Sequence, residues 1–419
     1  MLPASMGEAF INLAIEIRNE CIDADFMDRA SVSTNMVGEN VDITLAHDRH
    51  SGKYTKLGNV YSIGKNAVIQ AGAELGDNVL IGEDVVVGQD VQIGEDSSVF
   101  DGTTLGTGVV IGNNTTVNEV ATVEAYATIG NNTVIGHDVE IAKRAKIGDT
   151  INVRPECKIG RSAVLKDRVQ VHEGAQIHEY ADIGKGAEIG VSSVIADRVI
   201  ISEEVSIGSG VTIGPETIVK ANSTVKRDTK IGTKSKIGHD TIISEHGRIG
   251  DYVTIGDVVN LSGAVQVQAG AEVGDNVRIS NHAVVEKISS IGDNATVGNS
   301  ARIRRAVRIP DRANIADNAL VPSTHSVKTL SMVGSNNRTM TIIGSFAGPR
   351  ITTGCQSGVP MANYAIQGSE KIDTSEATTD SEDLYAELAP AIELLGGVVQ
   401  KHFKRETTKM NKVRRARYL

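Results

Sequence analysis

The sequence contains no tryptophan, and aromatic residues make up only 3% of its 419 positions. That scarcity leaves little material for the aromatic-rich core of a conventional globular domain. The chain has only three cysteines, an odd number that does not make a disulfide framework. It also lacks an apolar segment long enough to cross a membrane. We therefore expect a protein without a membrane anchor, made in the reducing cytoplasm.

What the sequence does contain is a strict six-residue period. An aliphatic residue occupies every sixth position from Leu57 to Val321, 45 positions without an exception. The residue two places before each aliphatic is nearly always small or valine, as at Ala67 and Val79. Because one residue lies between these two, the pattern predicts short strands that alternate inward, outward and inward.

The other three positions of each hexad have the composition of turns. Glycine often follows the aliphatic residue, as at Gly64 and Gly76, and a polar pair such as Asp77-Asn78 comes next. Glycine and asparagine supply the positive φ that tight corners need. A unit of one strand and one corner cannot close a core alone, so the hexads must stack as a coil. Cys157 occupies the small inward position and is predicted to be a core residue.

Residues 76–88, Gly-Asp-Asn-Val-Leu-Ile-Gly-Glu-Asp-Val-Val-Val-Gly, resemble the hexapeptide-repeat family. The resemblance extends over about two thirds of the chain, residues 57–321. It implies an all-β fold, a left-handed parallel β-helix in which three hexads form one coil. The 45 hexads then correspond to about 15 coils. The handedness comes from the resemblance alone.

The pieces outside the repeat are expected to cap its ends. Residues 1–56 form an N-terminal helix and lead-in cap in this interpretation. The predicted helix has apolar residues at amphipathic spacing: Phe10, Leu13, Ala14, Ile17 and Cys21. Glu8 and Glu16, and the absence of a basic leading segment, argue against a signal peptide.

Beyond Val321 we predict a small α+β module, a ββα-like cap over residues 322–368. Its elements are strands at 338–344 and 350–355 and a helical turn at 361–367. The pairs Gly354-Cys355 and Ser357-Gly358 resemble a capping module of phage-encoded repeat proteins. Residues 369–419 are predicted to be a linker, an amphipathic helix and a basic tail.

Charge is unevenly distributed along the chain. Residues 66–142 contain twelve acidic residues and no lysine or arginine. They form either a solvated surface, a decoy that mimics nucleic acid, or a surface for a basic partner. The tail is instead basic, and either forms a solvated helix end or binds nucleic acid or an acidic partner. Its candidate binding residues are Lys404, Arg405, Lys412, Arg414, Arg415 and Arg417.

Two histidines stand where the resemblance implies a catalytic base. In acyltransferases of this family, a histidine two places after the aliphatic, followed by Asp or Asn, deprotonates the acceptor. His137-Asp138 and His239-Asp240 match that arrangement. The alternative is that each is a polar turn pair, like Glu83-Asp84. The two sites fall on different faces of the coil, so they cannot form a single site within one subunit.

Other features favour a protein without catalysis. Family acyltransferases interrupt the coil with a loop that helps hold the acyl donor, whereas the period here leaves no room for an insertion. His172 and His178 are six apart, while the family's zinc enzymes place two histidines five apart. We therefore predict no metal and no cofactor.

An outward apolar column predicts an interface between copies of the chain. Val164, Ile200 and Ile218 are separated by multiples of 18, so they share a face of the predicted coil. Aligned surface aliphatic residues suggest an association surface. The family habit is the homotrimer, which is the expected assembly.

The sequence thus favours a non-enzymatic structural or interaction protein, a rigid β-helical rod that is a phage-encoded or virion-associated component. Its expected locations are the cytoplasm, or the host cytoplasm and the virion if it is phage-encoded. Its expected partners are a protein or a virion assembly, and nucleic acid through the tail. One alternative is an O- or N-acyltransferase that uses an acyl-CoA or acyl-carrier donor. The second alternative is an acidic decoy of nucleic acid.

Overall fold

The computed structural model describes residues 36–37, 41–43, 55–58, 62–321, 327–333, 338–345, 348–353 and 363–365. The chain divides into two compact units, Met1–Ser192 and Ser193–Leu419. In the described ranges every regular element is a β-strand. The predicted N-terminal helix and the whole segment 369–419 lie outside these residues.

The first unit is built from two-residue strands that pair in parallel with strands one coil away, so that they form three sheets. Face A contains Met36–Val37, Ser62–Ile63, Leu80–Ile81, Ser98–Val99, Thr116–Val117, Val134–Ile135, Asn152–Val153, Gln170–Val171 and Glu188–Ile189. Face B contains Asp42–Ile43, Val68–Ile69, Val86–Val87, Thr104–Leu105, Thr122–Val123, Glu140–Ile141, Lys158–Ile159 and Gln176–Ile177. Face C contains Lys56–Leu57, Glu74–Leu75, Gln92–Ile93, Val110–Ile111, Thr128–Ile129, Lys146–Ile147, Val164–Leu165 and Asp182–Ile183.

The strands of the second unit pair in the same way and also lie on three faces. Face D contains Val194–Ile195, Thr212–Ile213, Lys230–Ile231, Arg248–Ile249, Gln266–Val267, Val284–Val285, Arg302–Ile303 and Leu320–Val321. Face E contains Ile200–Ile201, Ile218–Val219, Lys236–Ile237, Thr254–Ile255, Glu272–Val273, Ser290–Ile291 and Arg308–Ile309. Face F contains Ser206–Ile207, Thr224–Val225, Ile242–Ile243, Asn260–Leu261, Arg278–Ile279, Thr296–Val297 and Asn314–Ile315.

The predicted alternation of inward and outward residues accounts for the core. Ile135 and the small-column residue Val139 are both fully buried, whereas Val134, the outward residue of the same strand, is exposed. Burying an isoleucine side chain contributes about 1.5–3 kcal/mol, and each coil buries three such aliphatic residues. Cys157 is buried, as predicted, and burial raises the pKa of its thiol to about 11, so it is a core residue rather than a reactive one.

The small inward column also accepts hydroxyl residues, because each finds a backbone partner. The Thr115 hydroxyl donates to the carbonyl of Gly130 at 2.8 Å, and the Thr133 hydroxyl to that of Gly148 at 3.1 Å. These bonds satisfy polar groups that would otherwise be costly to bury.

Backbone hydrogen bonds join each coil to the next. The amide of Gly64 donates to the carbonyl of Ile81 at 2.7 Å, and that of Val68 to Val85 at 2.8 Å. The same ladder begins before the predicted repeat, since Met36–Val37 pairs in parallel with Ser62–Ile63. The lead-in that we expected to be a cap therefore already contains strands of the coil.

The corners correct one detail of the expected turn chemistry. Positive φ falls on the second residue of the polar pair, for example Asn66 at 56° and Asp84 at 55°, and not on the glycine after the aliphatic residue. That glycine is required for stacking instead. A Cβ on Gly136 would lie 2.6 Å from the backbone nitrogen of Pro155 in the next coil. The position therefore excludes side chains because the coils approach closely there.

These features confirm the expected fold class. The chain is a hexapeptide-repeat β-solenoid of about 15 coils, all-β in its described residues. The left-handed sense of the coil remains an implication of the family resemblance.

The C-terminal module is a four-stranded antiparallel sheet of Val327–Val333, Arg338–Ser345, Gly348–Thr353 and Asn363–Ala365. The second and third strands confirm the two that the sequence predicted. The helical turn expected at 361–367 is wrong, because Asn363–Ala365 pairs as a strand with Gly348–Thr353. The edge of strand Gly348–Thr353 supplies hydrogen-bond partners for this segment, and the local sequence does not reveal that pairing.

Candidate functional site

The corner between faces A and B places His137 beside Asp138. Ile135 ends a strand of face A, and Asp138 takes a left-handed conformation with φ 55°, which turns the chain toward face B. The Nδ1 atom of His137 lies 2.9 Å from Oδ2 of Asp138. About half of each side chain is exposed, 50% for the histidine and 55% for the aspartate.

The carboxylate favours the charged form of the imidazole. The hydrogen bond that the imidazole donates to Asp138 is the main reason that the pKa of His137 is raised, and the negative charges of Glu156 and Glu119 act in the same direction. The arrangement can hold one tautomer of the ring and present Nε2 to solvent. It therefore resembles a base and its orienting carboxylate, on an open corner rather than in a cleft.

The second predicted pair is organised differently. The backbone amide of His239 donates to Oδ1 of Asp257 at 2.8 Å, while Asp240 takes the left-handed corner conformation with φ 52°. The hydrogen bond from that backbone amide is also the main cause of the lowered pKa of Asp257. The backbone of this corner is therefore part of a ladder of hydrogen bonds. Asp257, Asp275 and Asp293 each accept a hydrogen bond from the backbone amide of the residue one coil earlier.

The described residues contain neither a metal-binding cluster nor a membrane-spanning helix. Within them, no group of three or more His, Cys, Asp or Glu side chains is arranged to hold a metal ion. In the same part of the chain, no helix has the length and hydropathy to cross a membrane.

The predicted interface column contains two adjacent isoleucines in the second unit, followed by Lys236, and a single valine between charged residues in the first. Ile200 and Ile218 pair directly on face E, and Ile200 is 43% exposed. Val164 on face C instead lies between Lys146 and Asp182 in the sheet. The apolar neighbours that would extend an interface are therefore present at the two isoleucines.

Several predicted features fall on residues that the structure does not describe. They are the basic tail residues, Lys404, Arg405, Lys412, Arg414, Arg415 and Arg417, and the phage-like motif around Gly354-Cys355. The acidic decoy and the virion role also remain predictions.

Sequence reasoning missed a groove on the first unit. Its volume is about 740 Å³, and it follows face B and the corner between faces B and C. The lining residues are Thr122, Glu124, Glu140, Ile141, Ala142, Lys158, Ile159, Gly160, Arg161, Gln176, Ile177, His178 and Glu179. Neither His137 nor Asp138 is among them.

Two tyrosines lie next to residues of this groove at the same corner, although neither is itself a lining residue. Tyr180 contacts the lining residue Arg161, whose guanidinium lies 5.5 Å from the ring centroid. The ammonium of Lys143 lies 5.8 Å from the ring centroid of Tyr126, and its amide donates to Glu124 in the lining. One sequence signal could have drawn attention to them. Tyr126, Tyr180 and Tyr252 are separated by multiples of 18, and all three occupy left-handed corner positions.

Comparisons with known proteins concern the repeat. The model of the GMPPB C-terminal domain matches residues 57–151. No sequence among the curated proteins matches this chain.

Solved structures that resemble this one include UDP-N-acetylglucosamine acyltransferases. The Campylobacter jejuni enzyme is 18% identical over 40% of this chain and 66% of its own, with a TM-score of 0.24. The Bacteroides fragilis enzyme is 22% identical over 45% of this chain and 68% of its own, with a TM-score of 0.23. The Arabidopsis enzyme is 18% identical over 46% of this chain and 67% of its own, with a TM-score of 0.20. This chain thus spans slightly less than two thirds of the Campylobacter enzyme. The fold assignment rests on this chain's own strand pairing.

Proposed function

We propose that the chain is a non-enzymatic scaffold whose corners and outward columns bind partners. The observation that carries this proposal is continuity: from Ser62 to Ser192 and from Ser193 to Val321, strands recur every six residues and no loop is inserted. Substrate pockets require concavity and a few convergent polar groups. Inserted loops, the usual source of such walls, are absent from these two stretches.

The geometry around His137 supports the same proposal. Its side chain is half exposed, and it does not line the groove of the first unit. A general base must lie within hydrogen-bond reach of the proton that it removes, in a pose that the protein holds. An open corner has no facing surface that could hold an acceptor against His137.

We propose further that copies of the chain associate through face E. Ile200 and Ile218 are adjacent outward residues that together form an apolar patch, which Lys236 ends on the following strand. A homotrimer is the expected assembly.

Native mass spectrometry of the full chain tests this assembly. The double variant Ile200→Lys, Ile218→Lys should keep its circular dichroism spectrum and lose the oligomer. Thr212→Lys, an exposed outward position on face D, is the matched control and should keep the oligomer. An unchanged oligomer in the double variant would contradict the role of face E.

A second candidate function is acyl transfer, and the contact between His137 and Asp138 favours it. The test incubates the purified chain with acetyl-CoA and longer acyl-CoA donors, and measures the release of free CoA with amine and hydroxyl acceptors. The scaffold proposal predicts no release above that of a heat-denatured sample. Turnover that disappears in both His137→Ala and Asp138→Ala would replace it with the enzyme. Turnover that disappears only in His239→Ala would assign the base to the other corner.

A further inference from the structure

Two tyrosines of the first unit hold an unfavourable backbone conformation at the surface. Tyr126 and Tyr180 have φ values of 62° and 58°, in the left-handed region that glycine and asparagine adopt more easily. Both remain about half exposed, 53% and 45%. This conformation recurs at corners throughout the coil, so what distinguishes these two positions is an exposed aromatic ring at the same corner.

Each ring is contacted by a cation at the same corner of an adjacent coil. Lys143 lies over Tyr126 and Arg161 over Tyr180, within the range of a cation–π contact. The ring of Tyr126 also covers Gly108, where a Cβ would lie 2.8 Å from a ring carbon. The missing side chain at Gly108 therefore lets the ring lie against the corner.

The two rings are three coils apart on one corner. At roughly 4.8 Å between neighbouring strands, this separation corresponds to about 14 Å. The groove lies beside them and contains residues of the coils between the two tyrosines, such as Glu140 and Lys158. An extended ligand would contact a ring near each end and polar side chains between.

The polar lining carries three carboxylates and two lysine or arginine cations. Lys158 bonds Glu140 at 3.0 Å, and Arg161 bonds Glu179 at 2.8 Å. Glu124 accepts the amide of Lys143 at 2.9 Å. These pairs fix the orientation of the side chains while leaving lone pairs and N–H groups for other partners. A polyanion requires an excess of cations along its path, which three lining carboxylates remove.

We propose that this groove binds an oligosaccharide. The rings of Tyr126 and Tyr180 would pack against the apolar faces of two sugar rings. Carboxylate, amide and guanidinium groups, such as those of Glu140, Gln176 and Arg161, would exchange hydrogen bonds with the hydroxyl groups between them. The groove is separate from the His137 corner, and its occupation does not depend on whether the chain transfers acyl groups.

The test measures binding of defined oligosaccharides to the full chain by titration calorimetry. The probes are cellohexaose, chitohexaose, maltohexaose and an oligogalacturonate, with oligo(dT) as the polyanion. Tyr126→Asn and Tyr180→Asn are the informative variants, because asparagine tolerates positive φ and the coil should remain folded. Tyr252→Asn is the matched control, since Tyr252 has a φ of 56° and is 61% exposed but belongs to the second unit.

The expected result is that at least one oligosaccharide binds. Each informative variant should weaken that binding about tenfold, and their combination should abolish it. Tyr252→Asn should bind as the unmodified chain does. Failure of every oligosaccharide to bind would overturn the proposal. Binding that both variants leave unchanged, or binding of oligo(dT) alone, would overturn it equally.

Discussion

The buried columns and the corners of the coil follow opposite rules. Along the columns the chemistry varies little: Ile135 is replaced, coil after coil, by isoleucine, valine or leucine, and Val139 by small residues or valine, and these residues are buried. At the corners the same left-handed conformation is occupied by residues as different as Asn66, Tyr126 and Val258. Columns are constrained by packing, whereas corners are constrained only by φ and contact solvent. We therefore expect the residues that recognise partners to lie at the corners, where the residue type varies most.

The largest expected difference between the two regions is in stability. Ile135→Ala removes a fully buried side chain and leaves a cavity, so the free energy of unfolding should fall by about 3 kcal/mol. Val134→Ala changes the outward residue of the same strand and should cost less than about 0.5 kcal/mol. Guanidinium denaturation of both variants checks the difference. Equal losses would mean that the outward column packs as tightly as the inward one.

The second prediction concerns strain at the corners. Val258 is β-branched and exposed, with φ 59°, so Val258→Asn should raise the free energy of unfolding by about 1 kcal/mol. Asn222, with φ 58° at another corner of the second unit, is the reciprocal case. Asn222→Val should lower stability by a similar amount. Thermal unfolding measures both. If both variants shift the midpoint in the same direction, corner strain is not the cause.

The smallest expected effect is electrostatic. The hydrogen bond that the imidazole donates to Asp138 raises the pKa of His137, so the folded state binds the proton more tightly than the unfolded chain does. The resulting stabilisation is present below the ordinary pKa of histidine and is lost as pH rises through the folded pKa. An NMR titration of the His137 ring should show a midpoint above 6.5, which Asp138→Asn should lower. A midpoint that the variant does not move would assign the shift to Glu156 and Glu119.

The sequence was sufficient to predict the columns, because burial in a coil depends on positions six apart. Beyond the repeat, the local sequence also predicted two of the strands in the C-terminal module. It did not predict strand Asn363–Ala365, whose partner, Gly348–Thr353, supplies the pairing. The pairing of Met36–Val37 with Ser62–Ile63 was missed for the same reason, since it lies outside the regular period.

The candidate sites were less accessible to sequence reasoning. His137 and Asp138 are neighbours in the chain, so their contact could be foreseen. The groove depends on residues from successive coils, such as Lys143 over Tyr126, and on pairings such as Glu140 with Lys158. Such contacts become visible only when the sequence is written in rows of eighteen. The role of glycines such as Gly136, which follow an aliphatic residue, also depends on the distance between coils.

The coil repeat restricts how the length of this chain can change during evolution. Loss of one hexad between Tyr126 and Tyr180 would keep the aliphatic column buried, but it would move every later outward residue of this unit to a neighbouring face. Tyr126 and Tyr180 would then no longer share a corner. Loss of three hexads would preserve the alignment of every column. Insertions and deletions of eighteen residues should therefore be compatible with surface recognition, whereas those of six should preserve folding and erase the surface.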